Sequence, residues 1–153
     1  MSEFLIFLFV LQGFFILFDE FHFHIKRGLP KWERIGHPLD TLSFLACFAF
    51  TLFFAPTKIA VSFFLFLSAF SCIFVTKDEF IHAEKCPAGE QWVHSILFIL
   101  HPVCLVAIYR FWITQEYRPF VLFQTSLMSL FMLYQFFFWQ LFRPVVTSDD
   151  AKD

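Results

Sequence analysis

The chain has 153 residues, of which 59% are hydrophobic and only 16% are charged, and its mean hydropathy is +0.69. This composition is far more apolar than that of a soluble domain and predicts an all-α integral membrane protein. The formal net charge of −2 and the few basic residues argue against nucleic acid as a partner and leave the lipid bilayer as the expected one.

Five apolar runs predict five transmembrane helices, because each is close to the length that crosses roughly 30 Å of hydrocarbon. The runs cover residues 3–18, 41–55, 59–76, 92–112 and 120–142. The second run is the shortest and needs helical extension into its flanks to span comfortably. No basic region precedes the first run, so we expect the first helix to be retained and not cleaved as a signal peptide.

The basic residues predict the orientation. Eight Lys and Arg fall in the predicted loops 19–40 and 77–91 and in the tail after residue 142, whereas the opposite side has only Lys58, Arg110 and Arg118. The positive-inside rule therefore places the N-terminus outside and the C-terminus in the cytoplasm.

Two polar windows, residues 19–40 and 77–94, hold eight of the thirteen acids and five of the six histidines. Both windows begin with Asp-Glu-Phe and end with Pro-x-x-Glu-x-x-x-His, and both join one apolar run to the next. The shared order predicts an internal duplication of a helical hairpin. Within one membrane domain, 1–153, the hairpins are residues 1–56 and 57–113, followed by a fifth helix at 114–142 and a disordered tail at 143–153.

Helical spacing places a carboxylate and an imidazole on one face at each window's start and end. Residues three or four apart pair Asp19 with His22, Glu20 with His24, and Asp78 or Glu79 with His82. The closing motifs pair Glu33 with His37 and Glu90 with His94. The predicted metal ligands are Glu20, His22, His24, Glu33, His37, Asp78, Glu79, His82, Glu90 and His94, with Asp19, Asp40 and His101 as outer partners.

Two details complicate this prediction. Gly36 and Pro38 flank His37, so an alternative is that the second transmembrane helix begins only at Pro38. In that case His37 would not share a face with Glu33. His101 lies seven residues beyond His94, about 10 Å deeper at 1.5 Å per residue, where it would act as a further ligand, an outer partner or a proton relay.

Four carboxylate–imidazole pairs aimed at one place match the ligands of a centre with two divalent metal ions, which require bridging carboxylates and completing imidazoles. Iron is favoured, with zinc or manganese as alternatives. The run 79–82 is one Glu-x-x-His element like those of ferritin-like di-iron proteins. The runs 33–37 and 90–94 have one residue more between Glu and His, so the similarity is confined to ligand chemistry.

The expected function is a metal-dependent enzyme that oxidises, hydroxylates or desaturates a lipid or lipid-like substrate near the cytoplasmic membrane face. The alternatives are a metal-dependent lipid hydrolase, a metal transporter or sensor, a b-type haem protein, and a structural membrane protein with acidic connectors. The four cysteines form no CxxC motif, so we expect no disulfide framework, and Cys86 is expected to be structural.

Overall fold

The computed structural model describes residues 2–77 and 79–143, and 88% of it is helical. The helices are α1 (Ser2–Phe18), α2 (Ile25–Arg27), α3 (Lys31–Phe53), α4 (Lys58–Phe74), α5 (Glu79–Lys85), α6 (Ala88–Thr114) and α7 (Arg118–Phe137). Two π-helical segments, Asp19–His24 and Phe138–Phe142, continue α1 and α7. No strand occurs in the described ranges, so the predicted all-helical architecture is confirmed.

Four helical stretches are long and apolar enough to cross a membrane, which supports a membrane protein. They are Glu3–Arg27, Lys31–Phe53, Ala88–Thr114 and Arg118–Phe142. The fifth long helix, α4, is apolar but has only 17 residues and is about 25 Å long. Five spans were predicted, and the structure supports four of them by length and composition.

Helix α3 is longer than the apolar run at residues 41–55 that predicts it. It begins at Lys31 and includes Pro38 in its interior, so the alternative start at Pro38 is wrong. Pro30 precedes the helix with ψ 160°, an extended conformation that starts a helix without needing a backbone N–H. The extension gives α3 its 23 residues and keeps Glu33 and His37 on one face.

A tight turn joins the first helical stretch to α3. The helix ends at Arg27, and Gly28 has φ 75°, a left-handed conformation that side-chain-bearing residues rarely adopt. Gly28 N–H still donates to the carbonyl of His24 at 2.8 Å. The turn therefore returns the chain beside the segment it has just left, which brings the two ends of the first window together.

The long helices pack around an aromatic core and leave apolar side chains on the outside. Helix α1 packs against α6, and α3 packs against α4 and α7. Phe9 of α1 lies edge-on to Phe48 of α3 at 5.8 Å between ring centroids. Large exposed side chains such as Phe53 and Phe66 cover the outer faces, as expected of a surface that meets lipid.

Candidate metal centre

Acidic and histidine side chains from four helical segments converge at one end of the bundle. The first π segment, α3, α5 and α6 each contribute at least two of them. We call the set the acid–histidine cluster: Asp19, Glu20, His24, Glu33, His37, Glu79, His82, Glu90 and His94. Seven of the nine are buried, and Glu33 and Glu90 have no exposed surface.

The π segment sets which residues of the first window face the cluster. A π helix closes i→i+5 hydrogen bonds, so Asp19 and His24, five residues apart, lie on one face. His24 Nε2 is 3.2 Å from Asp19 Oδ2. Glu20 lies behind the same imidazole, with Oε2 3.4 Å from His24 Nδ1. His22 points outward, exposed, beside Lys26.

The two entry helices, α3 and α6, begin in the same way. Pro30 and Pro87 both precede their helix with extended backbone. The third residue of each helix is a buried glutamate, and the imidazole four residues later shares its face. A further match is a side chain that reaches back to the carbonyl before the proline: Arg34 Nε donates to Leu29 O and Gln91 Nε2 to Cys86 O, both at 2.9 Å.

Four imidazoles form a quadrilateral inside the cluster. The ring centroids of His24 and His37 are 4.6 Å apart, and those of His82 and His94 are 4.5 Å apart. The two remaining sides, His37 to His82 and His24 to His94, are both 6.2 Å. Opposite sides are equal within 0.1 Å, which is the result expected if the two windows are related by a pseudo-twofold axis.

The ligand atoms fall into three groups, two of which combine the start of one window with the end of the other. In each group, atoms that can bind a metal lie within 4.8 Å of one another. The first group joins the π segment to α6, and the second joins α3 to α5. The groups are Asp19, His24, Glu90 and His94; Glu33, His37 and His82; and Glu79, His82 and His94.

The first group is the most complete. Asp19 Oδ2 lies 3.1 Å from His94 Nε2 and 3.2 Å from His24 Nε2, so two imidazole nitrogens converge on one carboxylate oxygen. Glu90 Oε1 is 3.4 Å from His24 Nε2. Asp19 Oδ1 and Glu90 Oε2 are buried and have no hydrogen-bond partner among residues 2–77 and 79–143. Buried carboxylate oxygens without partners are costly unless a cation binds them.

Arg27 bridges the two entry glutamates. Its Nη2 donates to Glu33 Oε2 at 2.7 Å and to Glu90 Oε1 at 2.8 Å. The guanidinium is fixed in charge and geometry, so it orients both carboxylates from outside the imidazole quadrilateral. Glu33 Oε1 remains directed toward His82, 3.7 Å from its Nε2. Arg27 is thus a positioning residue for one carboxylate of each window.

The cluster has an excess of negative charge. Five carboxylates against the single guanidinium of Arg27 leave a formal charge of −4 when the imidazoles are neutral. Burial makes such an excess unfavourable unless cations or bound protons neutralise it. Two divalent cations would balance the charge in full.

Helix α7 and the π segment that continues it hold Glu20 in place. Trp139 Nε1 donates to Glu20 Oε1 at 2.7 Å, and Tyr134 OH donates to the same oxygen at 3.3 Å. With one oxygen held by α7 and its π extension and the other near His24, Glu20 orients the imidazole as an outer carboxylate does at metal sites. The sequence predicts Glu20 as a ligand and Asp19 as an outer partner. In the structure, Asp19 faces the quadrilateral and Glu20 lies behind it.

Three of the predicted residues that the structure describes lie outside the cluster. His22 is exposed, as described above. Asp40 accepts from Lys77 Nζ through both carboxylate oxygens at 2.7 Å. His101 Nε2 is 2.9 Å from Ser71 Oγ, deeper in the bundle. Asp78 lies outside the described residues, as does the tail 144–153.

Cys86 lies beside the cluster but is suited to packing. Its side chain is buried, and desolvation raises the pKa of the thiol to about 12. The thiolate, which is the form that binds metals and reacts with alkylating agents, is therefore scarce at neutral pH. All four cysteines are free, so the expectation of no disulfide is confirmed.

This environment predicts that Cys86 resists alkylation. In the folded protein at pH 7.5, Cys86 should react with iodoacetamide at least about tenfold more slowly than after denaturation, because its thiolate fraction is low. Mass spectrometry of the peptide containing Cys86 measures the rate. Equal rates in the folded and denatured protein would contradict the burial described here.

A cavity of about 230 Å³ adjoins the cluster and extends into the bundle between α1, α3, α6 and α7. Asp19, His24 and His94 form part of its wall at the cluster end. Farther in, the lining is mostly apolar, with Phe44 and Met128 among the buried side chains. The cluster is thus reached from an apolar chamber within the helices.

Three residues that complete the site are absent from the set predicted from sequence. Arg27 counted only toward orientation, although its position three residues after His24 on one helix was a signal. Tyr134 and Trp139 lie in the fifth apolar run, far from both windows, and no local pattern connects them to Glu20.

Fold and site together define an all-helical, strongly apolar protein with a buried acid–histidine cluster suited to metal ions. No protein-family model, curated protein or solved structure matches the chain.

Proposed function

We propose that the protein is a membrane-embedded enzyme with a dinuclear metal centre in the acid–histidine cluster. The observation that carries this proposal is the pair of adjacent ligand groups, each built from both windows, around four imidazoles with equal opposite sides. Carboxylates and imidazoles in this mixture are the ligands of two-metal sites in helical bundles.

One metal ion would bind where the π segment meets α6, and the second where α3 meets α5. The first position has Asp19, His24, Glu90 and His94. The second has Glu33, His37 and His82, and Glu79 is grouped with His82 and His94 beside it. Mixed carboxylate and imidazole ligands suit iron, manganese or zinc. We favour iron, because both positions have the ligand types of the di-iron carboxylate bundles.

The substrate in this proposal is a lipid or lipid-like molecule. Four helices long and apolar enough to cross a membrane support this substrate class, and the cluster adjoins an apolar cavity between the helices. With iron, the centre would support oxidation, hydroxylation or desaturation of that substrate; with zinc or manganese, it would activate water for hydrolysis. The distribution of basic residues supports a cytoplasmic position for this end of the bundle in the proposal.

Elemental analysis of the purified protein in detergent tests the centre. The wild type should contain about two transition-metal ions per chain. Glu90→Ala and His94→Ala should each lose most of this metal, because each removes a buried ligand. Glu116→Ala is the matched control, since Glu116 is exposed in the turn between α6 and α7.

The same analysis has a clear contrary result. Full metal content in both Glu90→Ala and His94→Ala would contradict the centre as assigned. Absence of bound metal from wild-type protein prepared with iron, zinc and manganese supplied would favour a structural role for the acidic connectors.

A further inference from the structure

The cavity beside the cluster is bordered by exposed side chains on α1 and α7. On α1 its wall is formed by Gln12, Gly13, Ile16 and Leu17, and on α7 by Gln124, Leu127, Met128 and Phe131. Among the described residues that line it, only Leu17 and Leu127 are exposed, at 46% and 49%. These two side chains, one on each helix, mark the place where the cavity reaches the outer surface of the bundle.

Helices α1 and α7 contact each other on both sides of this opening. Toward the ends at which the two helices begin, the rings of Phe9 and Phe120 are 5.4 Å apart. At the cluster end, Trp139 donates to Glu20. Between these contacts, residues of both helices line the cavity. The opening is therefore a side gap between two otherwise connected helices, at the level of the apolar spans.

Gly13 keeps space at this gap. A Cβ atom added at Gly13 would meet no atom within 4 Å, so the wall is open there and not filled by a neighbour. Gly13 lies in a straight helical stretch and needs no unusual backbone conformation. A large side chain at this position would project into the gap.

We propose that the gap between α1 and α7 is a lateral portal through which a hydrocarbon chain of a membrane lipid enters. The chain would pass between Leu17 and Leu127 and reach the acid–histidine cluster. The cavity, about 230 Å³, is smaller than the roughly 300–1,000 Å³ of pockets that enclose a whole ligand, so it accommodates a chain segment while the rest stays in the bilayer. The inference rests on the proposed function in treating the cluster as the reacting end.

Photo-crosslinking tests the portal directly. The probe is a fatty acid with a diazirine in its chain, incorporated into phosphatidylcholine vesicles that contain the protein. Wild-type protein should be labelled on α1 and α7 at the cavity residues, including Ile16 and Phe131. Gly13→Trp and Leu127→Trp should each reduce this labelling about tenfold, because the indole fills the entry and weakens binding.

Matched variants separate blockage from general disturbance. Phe14→Trp and Leu130→Trp add the same ring at neighbouring exposed positions that do not line the cavity, and they should leave cavity labelling unchanged. Gly13→Ala should also leave it unchanged, because its methyl group fits without contact. If Gly13→Trp disrupts folding, Leu127→Trp remains informative because Leu127 is already half exposed.

Metal content measured on the same samples distinguishes the two proposals. The portal would be overturned if the two portal variants, Gly13→Trp and Leu127→Trp, were labelled as strongly as the two control variants. This holds even if all variants retain metal. Labelling that depends on both portal positions in a protein without metal would support the portal and contradict the dinuclear centre.

Discussion

His24→Ala is expected to lower metal affinity by more than about 100-fold, beyond the roughly 10–100-fold typical of changes to outer partners. The π segment turns His24 inward, where its Nε2 lies 3.2 Å from Asp19 Oδ2 and 3.4 Å from Glu90 Oε1. Removing the imidazole leaves the first metal position one nitrogen short. Titration of metal-free protein with ferrous or zinc ions, read by calorimetry, measures the loss.

His22→Ala is the matched control, because it removes the same side chain two residues away. His22 is exposed and stacks on Phe18, outside the cluster. We expect its metal affinity to equal that of the wild type. The opposite pattern, with His22 required and His24 dispensable, would show that the metal-bound segment is an α helix with a different set of inward residues.

The sequence locates the two windows and most of the inward residues, because apolar runs and motif order are local properties. It does not give the register of the first window. Regular α-helical spacing pairs Asp19 with His22 and Glu20 with His24. The structure keeps the contact between Glu20 and His24, but the π segment places Asp19 beside His24 and not beside His22. In this register, Glu20 accepts hydrogen bonds from Tyr134 and Trp139, which lie more than a hundred residues away in the sequence. Local spacing carries no information about such contacts.

The second helix shows a similar limit. Hydropathy begins the span at residue 41, because the preceding turns of α3 are polar. These turns are helical all the same, since Glu33 and Arg34 are buried against other parts of the chain. Arg34 Nη1 donates to the carbonyls of Trp139 and Arg143. These bonds connect the start of α3 to the end of the helical stretch that begins with α7. Tertiary contacts therefore extend a helix where its own composition does not predict it.

The two windows differ at their starts and agree at their ends. The first continues α1 without a break through the π segment, whereas the second has a turn at residues 75–77 before α5. The ends share a proline, a buried glutamate and a histidine in the same helical positions. The hairpin duplication stays a prediction. Two of the three ligand groups draw residues from both hairpins, and the third, Glu79, His82 and His94, lies within the second hairpin.

Arg27→Ala is expected to destabilise the metal-free protein by about 3 kcal/mol, the lower end of the cost of breaking a buried ion pair. The lower end applies because the Arg27 side chain is 23% exposed, whereas Glu33 and Glu90 are fully buried. Without Arg27, Glu33 and Glu90 lose the guanidinium that binds them both. The free energy of unfolding, measured by denaturant titration in mixed detergent micelles with a chelator present, should show the loss.

Bound metal should reduce the effect of this substitution. Divalent cations neutralise the same carboxylates, so Arg27→Ala should be less destabilising in saturating metal than in chelator. The metal affinity of this variant should fall, because Glu33 and Glu90 lose the donor that orients them. Lys26→Ala is the matched control, since Lys26 is exposed beside His22 and contacts no cluster residue in the described structure. Equal stability of Arg27→Ala and Lys26→Ala in chelator would show that the cluster tolerates its charge without a guanidinium, and that protonated imidazoles neutralise it instead.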